Sequence, residues 1–346
     1  MFRFGIMGAG GIAAKFCDAV RRLEGAEVAA VASKSVERAE RFARENGVAR
    51  FYGDYEEMLE RERPDAVYVA TTNNFHFENV MLCIGHGVPV LCEKSMFMTL
   101  AEAEKAFDFA RERKVFLMEA MWSRFLPCVQ KAREWVAEGR IGTVQIANYT
   151  GGINAPESHR IFKPELGGGA MYDLTVYPIE ILTYLVNQPL VDVRAEIGWG
   201  SSGVDEDNSL LLKFETCRGA VQTTTHARIP SPCGLYGPKG YIRLEQTHQA
   251  SAVELYDGEF RLVERFESEV ENGFEYEAAE VMRCVKMGEL ESAVMPHRDT
   301  LECIRVFEKA LKGGERRGEG RAAVGCADMR YVNVTQPCEV GRQHIR

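Results

Sequence analysis

The 346-residue sequence has no apolar run near the roughly 20 residues that a membrane-spanning helix needs. Its opening, MFRFGIMGAG, runs into a strand and a glycine turn and not toward a cleavage site, so a cytoplasmic protein is expected. The 10 cysteines stand apart, with no C-x-x-C pair and no His/Cys ligand spacing. Reduced packing thiols are therefore expected, not disulfides or structural zinc, and the sequence implies no metal. Dense basic clusters are missing from the body of the chain: 42 Lys+Arg against 51 Asp+Glu give a formal charge of -9, which argues against nucleic acid or an anionic membrane as partner. No internal repeat is apparent.

What is present is a globular composition, 46% hydrophobic, in a chain longer than one core usually serves, so two domains are expected. Through residue 120, short β-rich runs (FRFGIMG, AEVAAVAS, DAVYVAT, VPVLCEK, VFLMEA) alternate with helical patterns. That alternation predicts a parallel, doubly wound, Rossmann-like sheet. Over 121–312 the texture changes to PCVQKAREWVAEG, a long apolar helix IEILTYLV, and clustered strand patterns such as LVDVRAEIGW and NSLLLKFET. This half is expected to be α+β, with a large, mostly antiparallel open sheet carrying helices on a face. Residues 313–346, rich in glycine and arginine at their start, are expected to form an irregular tail.

The first strand runs into Gly8-Ala9-Gly10-Gly11-Ile12-Ala13, a G-x-G-x-x-A turn opening a helix. Gly8 permits a tight turn, Gly10 lets the backbone approach a pyrophosphate, Ala13 allows close helix packing, and the helix N-terminus offers free N–H groups. After the second strand, where an acidic residue would meet a bare 2′-hydroxyl, the chain has Ser33, Lys34 and Ser35, with Arg38 one turn on. Hydroxyls and cations suit a 2′-phosphate, so NADP(H) is expected in preference to NAD(H). Ligands gather at the carboxyl ends of such strands. Two further ends supply Thr71, Thr72, Asn73 and His76, and Glu93 and Lys94. The stretch GGGAMYDLTVYPI at 167–179 places Asp173 and Tyr177 four residues apart, on one face if the segment is helical. Asp173 either caps that helix or takes part in chemistry; Tyr177 is either a core aromatic or an acid–base group. Trp122 and Arg124 enter the second half, where they line a cleft or pack between domains, and His159 and Arg160 precede the glycine run.

Over about residues 2–312 the chain resembles the glucose-fructose oxidoreductase and inositol dehydrogenase (Gfo/Idh/MocA) family. The resemblance rests on the glycine turn at 8–13, TTNNFH where the family often has T-P-N-x-x-H, CEKS where it has E-K-P, and GGGAMYDLTVYPI. MEAMWSRFLP at 118–127 and a tyrosine at 177 look most like its dihydrodiol dehydrogenase and D-xylose dehydrogenase branch. It implies a Rossmann domain, a C-terminal open sheet that often forms a dimer or tetramer interface, and roles for Lys94 and Tyr177 in hydride transfer between NADP(H) and a carbon bearing a hydroxyl or carbonyl. In that scheme Tyr177 takes or returns the hydroxyl proton, Lys94 favours its phenolate, and Asp173 orients Lys94 or a second substrate hydroxyl. The substrate is expected to be a sugar, polyol or cyclic trans-diol. A non-catalytic nucleotide sensor, or a sugar–sugar oxidoreductase that keeps its nucleotide bound, shares the motifs. Two departures stand out: Ser95 and Thr72 replace common prolines, and the loss of a fixed φ at Ser95 predicts a less firmly placed Lys94.

Overall fold

The computed structural model describes residues 1–313; the expected irregular tail beyond Gly313 lies outside the described residues. Strand β1 (Phe2–Met7) buries nearly every side chain, as a strand covered on both faces must, and leads through the glycine turn into α1 (Gly11–Arg21). The pattern repeats as β2 (Ala26–Ala32), α2 (Val36–Glu45), β3 (Arg50–Tyr52), α3 (Tyr55–Glu62) and β4 (Ala66–Val69). It continues with α4 (His76–Gly85), β5 (Val90–Glu93), α5 (Leu100–Arg113) and β6 (Leu117–Ala120). Side chains written into the loops set the helix starts: the Ser35 and Asp54 oxygens accept from backbone N–H groups three residues on, and Thr99 with Glu102 forms a reciprocal capping box. The six strands pair in parallel in the order β3-β2-β1-β4-β5-β6. The order reverses between β1 and β4, and a doubly wound sheet binds ligands in the crevice at that point.

The second half contains α6 (Pro127–Ala137), β7 (Ile146–Asn154), α7 (Val176–Val186) and β8 (Leu190–Trp199). Then come β9 (Asp205–Phe214), β10 (Arg218–Thr224), β11 (His226–Ile229), β12 (Cys233–Gly237), β13 (Gly240–Leu244), β14 (Ala252–Asp257) and β15 (Leu262–Glu267). They build a nine-stranded sheet, β15-β14-β13-β12-β7-β10-β9-β8 with β11 on β7, antiparallel except where β10 runs parallel to β7. Burial alternates strictly along β9 from Asn208 onward, so one face meets the core and the other is open. Helices α6, α7 and α9 (His297–Gly313) pack on the inner face, while α8 (Phe274–Met287) packs on α1 and α9 also reaches α5. The sequence pattern misses β12, whose CGLYG carries two glycines in five residues and shows no alternation.

The segment ahead of α7 is not an ordinary helix start. Met171–Thr175 forms a wide π turn in which the Val176 N–H reaches back five residues to the Met171 carbonyl. Pro178, which has no N–H to give, sits in the first turn of α7. Thr175 secures the turn, its hydroxyl lying 3.1 Å from the Ala170 carbonyl, 2.7 Å from Thr223 Oγ1 and 2.9 Å from Asn208 Nδ2. All eight cysteines among the described residues are unpaired and buried, and no described helix is long and apolar enough to cross a membrane.

Candidate active site

Two cavities meet beside the carboxyl end of β5. The first, about 830 Å3, runs along the crevice and is lined by residues 8–12, 33–35 and 38, 71–73, Glu93, Lys94 and Trp122. At its floor Gly8 has φ +104°, and a Cβ there would stand 2.5 Å from the Ala70 carbonyl oxygen, so only glycine can make this turn. Gly10 and Gly11 face open space, and α1 starts with no side-chain cap and no acidic residue in its first turn. The unengaged N–H groups and the positive end of the helix fit a pyrophosphate. At the far end, Ser33 is buried while Lys34 and Arg38 are exposed. The Lys34 ammonium lies over the Phe75 ring at 4.3 Å.

The second cavity, about 700 Å3, lies under the large sheet and is lined by His159, Asp173, Arg228, Ser231, Gln246 and His248 among others. Lys94, Arg160 and Tyr177 line both cavities. Asp173 organises this junction. Its Oδ1 accepts from Lys94 Nζ at 2.9 Å and from Arg160 at 2.7 Å, and its carbonyl accepts from Lys94 Nζ at 2.9 Å. Burial would favour the neutral acid, but the Lys94 and Arg160 charges outweigh it and hold the Asp173 carboxyl well below the usual range. For Lys94 burial opposes the ammonium, and Asp173, Tyr177 and Glu93 outweigh it, so the amine is held above its ordinary value. The Lys94 ammonium stands 4.8 Å from the Tyr177 ring centre, and the Trp122 indole N–H donates to the Tyr177 hydroxyl at 3.3 Å. Lys94 pulls the Tyr177 phenol downward, as its charge must, but burial is the larger effect and the phenol is raised overall. The resting group is a phenol, not a phenolate.

The N-terminal 2–121 match the family model described as "Oxidoreductase family, NAD-binding Rossmann fold", and 129–243 match the "GFO/IDH/MocA C-terminal domain". The chain belongs to the Gfo/Idh/MocA oxidoreductase family. A D-xylose 1-dehydrogenase (NADP(+)) of Hypocrea jecorina is 35% identical, over 90% of this chain and 92% of that protein. A trans-1,2-dihydrobenzene-1,2-diol dehydrogenase of Xenopus tropicalis is 30% identical over 90% of this chain and 97% of its own. Among solved structures, an aldose-aldose oxidoreductase from Caulobacter crescentus shares the fold, with TM-score 0.83 at 21% identity, covering 90% of this chain and 97% of that one.

Several residues of the family motifs sit elsewhere than their spacing predicts. Arg124 does not line the cleft: it is wholly buried and donates to the Glu180 carbonyl at 2.7 and 3.1 Å, to the Glu180 carboxylate, and to Asp299 at 2.6 Å, tying the turn after β6 to α7 and α9. His76 does not line the first cavity; it is fully buried, its ring nitrogens 2.9 Å from the Ser95 carbonyl and 3.1 Å from the Thr71 carbonyl. Burial holds it neutral, with a pKa of about 4. Asp173 is inside the π turn with its carboxylate spent on two cations, so it does not cap α7. The glycine run does not line either cavity. Gly169, with φ +122°, has room only for hydrogen, because a Cβ would stand 2.4 Å from Asp205 Oδ1.

Ser95 compensates for the family's proline in another way: its hydroxyl donates to the Tyr172 carbonyl at 2.8 Å, and its own carbonyl meets His76. These bonds tie the residue after Lys94 to Tyr172 and His76 without a proline ring. Glu93, buried and raised by that burial, accepts from the Tyr68 hydroxyl and from the Lys94 N–H at 3.1 Å. The sequence gives no sign of Phe274, which stacks on Trp122 at 5.1 Å in the first cavity, or of the Tyr149, Ser231 and His248 cluster beside Tyr177. They lie on α8, β7 and loops far along the chain, and no spacing links them to the motifs.

Proposed function

We propose that the protein is an NADP(H)-dependent oxidoreductase acting on a CH–OH or C=O carbon of a sugar, polyol or cyclic trans-diol. The observation that carries this reading is that Lys94 and Tyr177 line both cavities, so a cofactor in one and a substrate in the other meet at a phenol and an ammonium. The NADP(+) and diol dehydrogenase names of the relatives support the same chemistry. Residues 8–12 would hold the pyrophosphate, and Lys34 and Arg38 with Ser33 the 2′-phosphate; Ser35, whose hydroxyl accepts from the Arg38 N–H at 3.2 Å and donates to Glu37, shapes that corner through the backbone. Thr71, Thr72, Asn73 and Trp122 would flank the nicotinamide half.

When bound, NADP(H) supplies or accepts the hydride. Tyr177, steered by the Trp122 N–H, gives its proton to a carbonyl oxygen during reduction and takes it from a hydroxyl during oxidation. Lys94, aligned by Asp173, stabilises negative charge on either oxygen. A nucleotide sensor has no use for this pair. We also propose that the open face of the large sheet joins a second copy, because Ile146, Leu211 and Tyr236 are exposed there. The direct test of activity is a panel of aldoses, inositols and cyclic diols with NADP+ and NAD+, followed by nicotinamide absorbance. Turnover that favours NADP+ is expected; binding of nucleotide with no turnover of any member would return the sensor.

A further inference from the structure

The floor of the substrate cavity carries a histidine that the hydride chemistry leaves unused. His248 sits on the short turn Thr247–Gln249, its ring edge-on to Tyr177 with centroids 4.1 Å apart and planes at 67°. Its Nδ1 lies 2.9 Å from the Tyr149 hydroxyl and 2.6 Å from Ser231 Oγ. Tyr149 is 1% exposed and its burial keeps it a phenol, so its proton needs an acceptor inside the protein. Nδ1 thus has two hydroxyls within reach, either of which can donate to its lone pair, and the neutral tautomer that accepts there carries its proton on Nε2. Burial first, then the Lys94 charge, lowers the ring to about 4 and keeps it neutral. Among the described residues Nε2 has no hydrogen-bond partner, and the half-buried ring faces the cavity.

Resting on the oxidoreductase reading above, we propose that His248 Nε2–H binds the oxygen on the carbon next to the reacting carbon, which makes the site specific for a vicinal diol or the matching α-hydroxy carbonyl. The edge-on approach to Tyr177 sets His248 beside the phenol that would meet the reacting oxygen, with both residues lining the same cavity. A site that presents a fixed donor discriminates against the analogue lacking the oxygen, because the donor is then left unpaired.

The test compares trans-cyclohexane-1,2-diol with cyclohexanol, and D-xylose with 2-deoxy-D-xylose, in the wild type, His248→Phe and His248→Leu. Phe keeps the ring and Leu relieves any crowding, so one of the two should fold; NADP+ affinity equal to wild type certifies it. The expected result is a fall of about tenfold in kcat/KM for the vicinal member only, which corresponds to one lost hydrogen bond. Equal losses on both members of a pair, or no loss on either, would overturn the role of His248 while leaving the oxidoreductase intact. Failure of the wild type on all four compounds, with either nucleotide, would overturn the reading and this inference with it.

Discussion

Asp173 holds the account together at the scale of single residues. One buried carboxylate positions the lysine that serves the cleft and anchors the arginine at its rim, with Lys94 and Asp173 side chains only 10% and 9% exposed. Asp173→Asn should cost about 3–5 kcal/mol of stability, because it leaves a buried ammonium without its partner. The pH dependence has a definite sign. The folded-state pKa of Asp173 is depressed, so its contribution is complete above the unfolded value of about 4 and is lost as pH falls below it. Urea titrations between neutral and acid pH should show a steep acid limb in the wild type and a shallower one in the Asn protein. Equal limbs would remove Asp173 from the pair. Much of this cluster was legible from the chain: EKS at a strand end and the four-residue spacing of Asp173 and Tyr177. The sequence left Arg124 open between the cleft and interdomain packing for a physical reason. It is two residues from Trp122 in a tight turn, and sequence adjacency does not say that one side chain faces the cleft while the other enters the core.

At the scale of elements, the junction of β2 and α2 is what we propose selects the cofactor. No carboxylate ends β2, and Lys34 and Arg38 line the first cavity there, where the proposal puts a 2′-phosphate. Charged hydrogen bonds of this kind contribute about 1.5–3 kcal/mol each. Lys34→Ala or Arg38→Ala, each alone, should therefore raise the KM for NADP+ by roughly ten- to a hundredfold while changing that for NAD+ little. Comparable changes for both nucleotides would mean that the two cations only pack or attract nonspecifically. The strands and helices themselves were largely readable, since alternation and helical period are local. The π turn was not. Pro178 marks the first turn of α7, but the width of the turn before it depends on Asn208, Thr223 and Asp205, which arrive from other strands. His248 was hidden for the same reason, being brought under Tyr177 by a loop with no periodic signal.

On the scale of the whole molecule, Lys94 comes from the doubly wound half and Tyr177 from the half that carries the large sheet, so the proposed reacting pair exists only when both are folded together. The sheet's outer face should support assembly. Leu211, 63% exposed in the middle of β9, replaced by arginine should shift sedimentation toward a smaller species without changing nucleotide affinity. An unchanged profile would place any interface elsewhere. The central claim is that Tyr177 moves the substrate proton beside Lys94, and the pH profile of kcat/KM for alcohol oxidation in the wild type and in Tyr177→Phe tests it. Because burial raises the phenol above its ordinary value near 10, wild-type oxidation should climb with pH through the neutral and alkaline range as the base form grows. The Phe protein should be slower by roughly 10²–10⁴, lose that climb, and bind NADP+ as before. A Phe variant with near wild-type turnover and the same pH slope would contradict the account.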